Sequence, residues 1–449
     1  MPKRTCLAII LAAGEGTRMR SGLPKVLHAV GGLPMLGHVI AAAAAAGATR
    51  TAVVVGPEAD AVRKLVGRLA PQATIHQQAE RLGTAHAVRT AEKAFRPAPD
   101  DVLVLYGDTP LVTAETLKRM RRTIAKGADV VVLGFRPANP ADYGRLLVAD
   151  GRLTAIREKK DASPEELKIG FCNAGVMAFS GRALAHLKKI GNANASGHYY
   201  LTDLVELTNR AKGKVVAIEA DADEVAGVNT RQELSEVEGT FQRRAREKAM
   251  AAGVTLVAPK TVTFSHDTKL GRDVIVEPNV VFAPGVEVAD NVTIRAFSHL
   301  EGARVATGAI VGPFARLRPG AVIGQGAHVG NFVEIKNAGI DAGAKVNHLT
   351  YIGDAHVGAG TNVGAGTITC NYDGFGKYHT EIGAHAFIGS NSSLVAPVTI
   401  GDGAYVASGS VVTMDVPAGA LAVARGRQAT KPEWARKFRE LKTRGKEAK

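Results

Sequence analysis

A chain of 449 residues has room for two or three domains, and an apolar content of 46% supplies sizeable cores, which excludes a wholly disordered protein. The net charge of +14 invites a nucleic-acid reading, but residues 425–449 hold ten Lys/Arg against three Glu, half of the excess. That distribution describes a basic, solvated terminal tail and excludes a nucleic-acid-binding surface as the main function.

Cys6, Cys172 and Cys370 are odd in number and far apart, so the chain reads as a cytoplasmic protein with reduced thiols and no disulfide framework. The apolar run Cys6–Ala13 after Lys3-Arg4 is short and leads into the charged Gly14-Glu15-Gly16-Thr17-Arg18. It predicts a buried first strand rather than a secretory signal. No stretch reaches the roughly 18 apolar residues that span a bilayer, so no membrane insertion is expected.

Along the first half, Cys6–Ala12, Thr51–Val55, Val102–Tyr106 and Val130–Phe135 are short, aliphatic and bounded by turn residues, the pattern of buried parallel strands. Helical patterns at Leu36–Ala46, Ala59–Leu69 and Ala85–Ala94 alternate with them. This order predicts a three-layer α/β domain, Rossmann-like with a mostly parallel sheet, over 1–228. The charged, proline-free stretch after it predicts a linker helix within 229–253.

From 254 to 424 aliphatic residues recur at every sixth position. The runs are Val274, Val280, Val286, Val292; then Val305, Val311, Leu317, Ile323, Val329, Ile335; then Ile382, Ile388, Leu394, Ile400, Val406, Val412. A hexapeptide period marks an all-β parallel β-helix, each unit supplying one side of a triangular coil. The pattern slips at Ile335–Ile340 and Ile352–Val357, breaks across Cys370–Glu381, and ends near Pro417, before the basic tail of 425–449. Such interruptions map to loops on one face, often the binding face.

Directly after the first strand stands Leu11-Ala12-Ala13-Gly14-Glu15-Gly16-Thr17-Arg18-Met19, then Pro24-Lys25. A glycine turn there brings backbone N–H groups to phosphate oxygens, and Arg18 and Lys25 add charge. Asp108, just past a predicted strand, falls at the carboxyl edge where open α/β sheets bind ligands. In the second half, Arg318 and Lys336 each follow an inward residue and lie eighteen positions apart, one full coil, so they stack at about 4.8 Å spacing. Like charges so placed repel unless an anion covers them. His348 points outward within about one coil of them, and an imidazole suits general-base work. Ser390 and Ser408, also one coil apart, line one groove, with Arg425 beyond.

The motif Leu11-x-x-Gly14-x-Gly16-Thr17-x-Met19-x₅-Pro24-Lys25 resembles the signature of sugar-1-phosphate nucleotidyltransferases. Together with Gln78-Ala79-Glu80-Arg81-Leu82-Gly83-Thr84, Tyr106-Gly107-Asp108, Tyr143-Gly144-Arg145, Glu158-Lys159-Lys160-Asp161, Asn173-Ala174-Gly175, Gly227-Val228-Asn229 and the hexapeptide half, the whole chain resembles a bacterial bifunctional family. These are the N-acetylglucosamine-1-phosphate uridyltransferase/glucosamine-1-phosphate acetyltransferases. The resemblance implies a left-handed β-helix, a homotrimer and a role in peptidoglycan and lipopolysaccharide precursor synthesis. It implies UTP and UDP-N-acetylglucosamine contacts at Leu11, Ala12, Ala13, Gly14, Lys25, Gln78, Gly83, Thr84, Tyr106, Gly107 and Asp108, with the sugar near Gly144, Glu158 and Asn173. Mg²⁺ falls on Asp108 and Asn229, with Arg18 and Lys25 assisting UMP transfer. For acetyl transfer it implies His348 as proton acceptor, the sugar phosphate at Arg318, Lys336, Tyr351 and Asn362, and acetyl-coenzyme A at Ala365, Asn371, Tyr372, Ser390, Ser408 and Arg425. Two positions depart from the family: Glu15 stands where Lys is common, and Ser408 where Ala is common. Another sugar-1-phosphate nucleotidyltransferase with an inert β-helix, or a non-catalytic assembly protein, would share these folds without needing Asp108, Lys25 and His348 together.

Overall fold

A computed structural model describes residues 4–140 and 142–447, and the chain divides into two compact units, Met1–Glu247 and Lys248–Lys449. Lys3 of the amino-terminal run and the last two tail residues lie outside the described residues.

The first unit is built on strands β1 (Cys6–Ala12), β2 (Arg50–Val55), β3 (Thr74–Gln77), β4 (Asp101–Tyr106), β5 (Val130–Phe135), β6 (Arg145–Ala149), β7 (Arg152–Arg157), β8 (Cys172–Ser180) and β9 (Val215–Glu219). Their order is β9-β5-β8-β4-β1-β2-β3, with the hairpin β6–β7 joined to β8. All neighbours along that row pair in parallel except β8, antiparallel to both β4 and β5. Successive side chains of a strand face opposite ways. Ala8 and Ile10 therefore pack with Val53, Val55, Leu103 and Leu105, while Leu7 and Ile9 pack with Ala52, Val54, Val102 and Val104 on the other face. Burial on both faces explains the unbroken aliphatic runs.

Helices α1 (Met35–Ala45), α2 (Asp60–Leu69), α3 (Thr84–Thr90), α4 (Ala114–Ala125) and α5 (Leu204–Arg210) accompany the sheet. The charged stretch forms α6 (Arg231–Ala251), as its composition predicts. At its start Thr230 Oγ1 accepts from Glu233 N, and Glu233 Oε2 accepts from Thr230 N at 2.8 Å, a reciprocal capping box.

The second unit consists of three ladders of short parallel strands. One runs Val276–Ile294–Val311–Val329–Val346–Val363–Ile388–Val406. Another runs Leu300–Leu317–Ile335–Ile352, and the third Val288–Val305–Ile323–Ile340–Val357–Ile382–Ile400. These residues are buried, so each side of the coil points an aliphatic chain inward.

The first predicted run points inward as expected, at a place two residues ahead of the one the later runs occupy. Val274, Val280, Val286 and Val292 are buried, but they precede the strand residues Val276, Phe282, Val288 and Ile294 by two. In later coils that second inward place is taken by Ala303, Ala309, Ala315, Ala321 and Ala327. The five-residue step from Leu300 to Val305 hides the change. The slips at 335–340 and 352–357 are also five-residue steps, turned through Asn337 and Asp354 at φ 45° and 49°. Residues 371–379 loop out, and the ladder resumes with Thr369 beside Leu394. Leu421–Ala422 still pairs with Tyr405–Val406, so the coil continues past Pro417. The tail, expected to be poorly ordered, carries helix α7 (Trp434–Glu447), with Trp434 and Phe438 stacked and exposed. Among the described residues no helix is long and apolar enough to cross a membrane.

One ion cluster on the coil makes stability depend on pH. His356 Nδ1 hydrogen-bonds Glu381 Oε1 and Nε2 hydrogen-bonds Asp341 Oδ2 at 2.9 Å. Two carboxylate partners require the imidazolium, and the Glu381 bond foremost holds the His356 pKa above its ordinary value. The stabilisation is complete below the unfolded value of about 6.5 and disappears as pH rises through the higher folded value. Melting temperatures of the native protein and His356→Gln are therefore expected to converge between pH 6 and alkaline pH; a gap independent of pH contradicts the assignment.

Candidate active sites

The first site lies at the carboxyl ends of β1, β3 and β4. Gly16 adopts φ 67°, and a Cβ there would sit 2.5 Å from Lys25 Cβ, so only glycine lets the loop close over the lysine. Gly107 is similarly tight, its would-be Cβ 3.3 Å from Leu11 O, which brings Asp108 up beside the loop. Lys25 Nζ donates to both Asp108 Oδ2 and Asn229 Oδ1, the latter at 3.0 Å. Val228 N donates to Asp108 O, and Glu233 Oε2 accepts from Asn229 N at 2.7 Å. The capping box thus places Asn229, and the Thr230-x-x-Glu233 spacing is the sequence signal for it.

Arg18 lines the same pocket as Lys25, Asn229, Glu15, Gly16, Thr17 and Arg81. At the neighbouring edge, buried Gln78 donates from Nε2 to Gly83 O at 3.3 Å, and Thr84 Oγ1 accepts from Leu201 N. Asn173 N donates to Gly144 O at 2.8 Å, and a Cβ on Gly144 would lie 3.4 Å from the Glu158 carboxylate oxygens. Gly144, Glu158 and Asn173 therefore converge. Burial, reinforced by Asp161 and Asp203, raises the Glu158 carboxyl pKa. Burial likewise raises that of Tyr106, whose ring a Cβ on Gly175 would strike at 2.8 Å.

In the second unit Arg318 and Lys336 occupy equivalent places on successive coils, Arg318 N donating to Ile335 O. The expectation that they stand unneutralised is corrected. Arg318 pairs with Glu334 at 2.8 Å and Lys336 with Asp354 at 3.5 Å, so the protein itself offsets the repulsion. Asn371 Nδ2 donates to Asp354 and lies 3.5 Å from the Tyr351 hydroxyl. A further basic residue, Lys377, bridges back to Tyr372 across the loop, and the neighbouring Lys336 lowers its pKa. Hexapeptide counting could not find it, because residues 371–379 leave the coil. Tyr372, exposed in that loop, donates to Gly374 O.

His348 belongs to a different side of the coil. It pairs in register with Asn331, and its Nδ1 lies 2.7 Å from Asn331 Oδ1. An amide oxygen only accepts, so Nδ1 carries the hydrogen, and in the neutral imidazole the lone pair is on Nε2. Above it rises one column, in which His348, Ala365, Ser390 and Ser408 each stand two residues after an inward aliphatic. Gly366 N donates to His348 O, Asn391 N to Ala365 O, Gly409 N to Ser390 O, and Arg425 to Ser408 O at 2.7 Å. Asn362 precedes inward Val363 on that same ladder. The structure thus gathers His348, Ala365, Ser390, Ser408 and Arg425 in one column, and Arg318, Lys336, Tyr351 and Asn371 in another cluster.

The family profile of the MobA-like NTP transferase domain matches residues 8–165, and that of the bacterial transferase hexapeptide (six repeats) matches residues 267–302 and 379–413. The chain is 60% identical over 440 residues to the bifunctional protein GlmU of Azorhizobium caulinodans, covering 98% of each chain. It is 61% identical to that of Xanthobacter autotrophicus, over 99% of this chain and 100% of the relative. The Agrobacterium fabrum protein of the same name is 56% identical over 100% of this chain and 99% of its own. With the two folds and these identities in hand, the chain belongs to the GlmU family, the bifunctional uridyltransferase/acetyltransferases that make UDP-N-acetylglucosamine.

Proposed function

We propose that the second unit transfers acetyl from acetyl-coenzyme A to glucosamine-1-phosphate, and that the first unit then transfers UMP from UTP to the product, releasing pyrophosphate. The observation that carries the acetyl assignment is the column from His348 to Arg425, with Asn331 Oδ1 engaging Nδ1 of His348 and leaving Nε2 for the substrate. In the first step the amine nitrogen attacks the thioester carbonyl and its proton passes to His348 Nε2; as the C–S bond breaks, the departing sulfur takes that proton, so coenzyme A leaves as the thiol and the imidazole is returned neutral. Arg318, Lys336 and Lys377 hold the sugar phosphate, while Ala365, Ser390, Ser408 and Arg425 take the coenzyme. Ser408 leaves this column unaltered in shape, since its backbone oxygen makes the contact.

In the second step a phosphate oxygen of N-acetylglucosamine-1-phosphate attacks the α-phosphorus of UTP, and the bond to the pyrophosphate breaks. No protein nucleophile is needed; orientation and charge carry the rate. Gln78, Gly83 and Thr84 hold uracil, Gly144, Glu158 and Asn173 the sugar, and Lys25 and Arg18 the phosphates. Asp108 Oδ2 and Asn229 Oδ1 face one point from two segments, and there the Lys25 ammonium stands in for a cation. A carboxylate and an amide oxygen are the hard donors Mg²⁺ takes beside substrate phosphates. When bound, the ion supplies neutralisation of phosphate charge. A homotrimer fits this reading, because His348 and the Arg318–Lys336 pair stand on different sides of one coil, and a neighbouring copy can complete the site. A cytoplasmic location fits the free cysteines.

A coupled assay tests the pair of activities. UTP, acetyl-coenzyme A, glucosamine-1-phosphate and Mg²⁺ are expected to give thiol and pyrophosphate in equal amounts. Thiol without pyrophosphate removes the uridylyl assignment, and pyrophosphate release that needs no acetyl-coenzyme A removes the order of steps.

A further inference from the structure

The phosphate-binding loop contains an acid in the place where an anion must bind. Glu15 lies between Gly14 and Gly16 and lines the pocket shared by Thr17, Arg18, Lys25 and Asn229. A carboxylate there opposes a triphosphate unless a cation answers it. Arg81 does so: its Nε donates to Ala13 O at 2.9 Å, and one terminal nitrogen pairs with Glu15. The guanidinium is thereby tied to the loop's backbone and to its acid. Its other terminal nitrogen lies beside Gly56, 3.3 Å from where a Cβ would stand, so glycine leaves it room.

Arg81 keeps 44% of its side-chain surface exposed and Glu15 57%, whereas Lys25 keeps 11%. An exposed ion pair of this kind is weak and exchanges readily for a better anion. A guanidinium in turn matches a phosphate in bidentate geometry. The exposures also order the cations, Lys25 deep beside Asp108 and Arg81 at the mouth. Uracil and sugar occupy the Gln78–Gly83–Thr84 and Gly144–Glu158–Asn173 edges in the reading above. The pocket mouth is left for the β- and γ-phosphates, the part that departs as pyrophosphate.

We propose that Arg81 is a binding residue for the β,γ-phosphates of the nucleoside triphosphate and for product pyrophosphate, and that Glu15 holds Arg81 ready and competes for it as pyrophosphate leaves. The proposal rests on the uridylyl-transfer reading of this site. It assigns Arg81 a substrate contact and gives the loop acid a role in product release.

Initial rates in both directions test it, with UTP varied in synthesis and pyrophosphate varied in the reverse reaction on UDP-N-acetylglucosamine. Loss of one charge-assisted phosphate contact corresponds to about 10-fold or more in affinity. Arg81→Gln is therefore expected to raise the KM for UTP and for pyrophosphate by about that factor, leaving the KM for UDP-N-acetylglucosamine and for N-acetylglucosamine-1-phosphate within about twofold. Arg81→Lys is expected to recover part of the loss. Glu15→Gln, with the competitor removed, is expected to lower the pyrophosphate KM and strengthen product inhibition. An unchanged pyrophosphate KM in Arg81→Gln overturns the proposal, as does an equal rise for all four substrates, which marks a damaged loop. Absence of uridylyl transfer in the unsubstituted protein overturns the underlying reading instead, so the two failures are told apart.

Discussion

Replacing His348 with alanine is expected to lower thiol release from acetyl-coenzyme A by about 10² to 10⁴, the range general-base catalysis supplies. UMP transfer onto added N-acetylglucosamine-1-phosphate should stay within about twofold, an order-of-magnitude bound for sites built on separate units of the chain. The physical reason is the Asn331 hydrogen bond, which fixes the tautomer with Nε2 free. An exposed histidine has no core to disturb, so a folding defect is not the expected cause of the loss. Asn331→Leu serves as the companion variant. Without the oxygen that holds Nδ1–H, the ring loses its orientation, and kcat should fall while the KM for glucosamine-1-phosphate is preserved. Equal loss of both activities in His348→Ala, or undiminished thiol release, defeats the assignment of the base.

Most of this architecture could be read before any coordinates, and the exceptions share a cause. The strand Cys6–Ala12 is both predicted and observed, because an aliphatic run ending at a glycine turn has one inexpensive burial in an α/β sheet. The hexapeptide half was legible because a repeat states its own geometry many times over. Its first run takes the other of two inward places, two positions before the strand residue, and keeps the same six-residue period. In the sites, register arithmetic brought Arg318 beside Lys336, and Ser390 beside Ser408 below Arg425. It could not supply Glu334 and Asp354 as counter-charges, because a carboxylate's partner depends on where the side chain reaches and not on its position in the repeat. Lys377 and Arg81 escaped for a related reason. Each comes from a segment without periodicity, the 371–379 loop or the turn after β3, and only the fold brings it to the charge it meets.

Asp108→Ala is expected to give the complementary pattern, with UMP transfer reduced by about 10² or more and acetyl transfer retained. Asp108 is the carboxylate that Lys25 donates to where Lys25 and Asn229 meet, so its removal takes away the hard oxygen donor proposed for Mg²⁺ and the counter-ion of Lys25 together. The two contributions separate in the isosteric Asp108→Asn. That variant keeps an oxygen within reach of the cation but carries no charge, so its activity should return partway as Mg²⁺ is raised, whereas Asp108→Ala should not respond. Neither change opens a hole in the core, because Asp108 stands beyond the end of β4 with its backbone oxygen tied to Val228 N, a bond both variants keep. A Mg²⁺ requirement identical in the native protein and Asp108→Asn would mean that the carboxylate does not hold the ion. Lys25 would then be its sole partner of consequence, and the proposed metal position would have to move away from Asn229 as well.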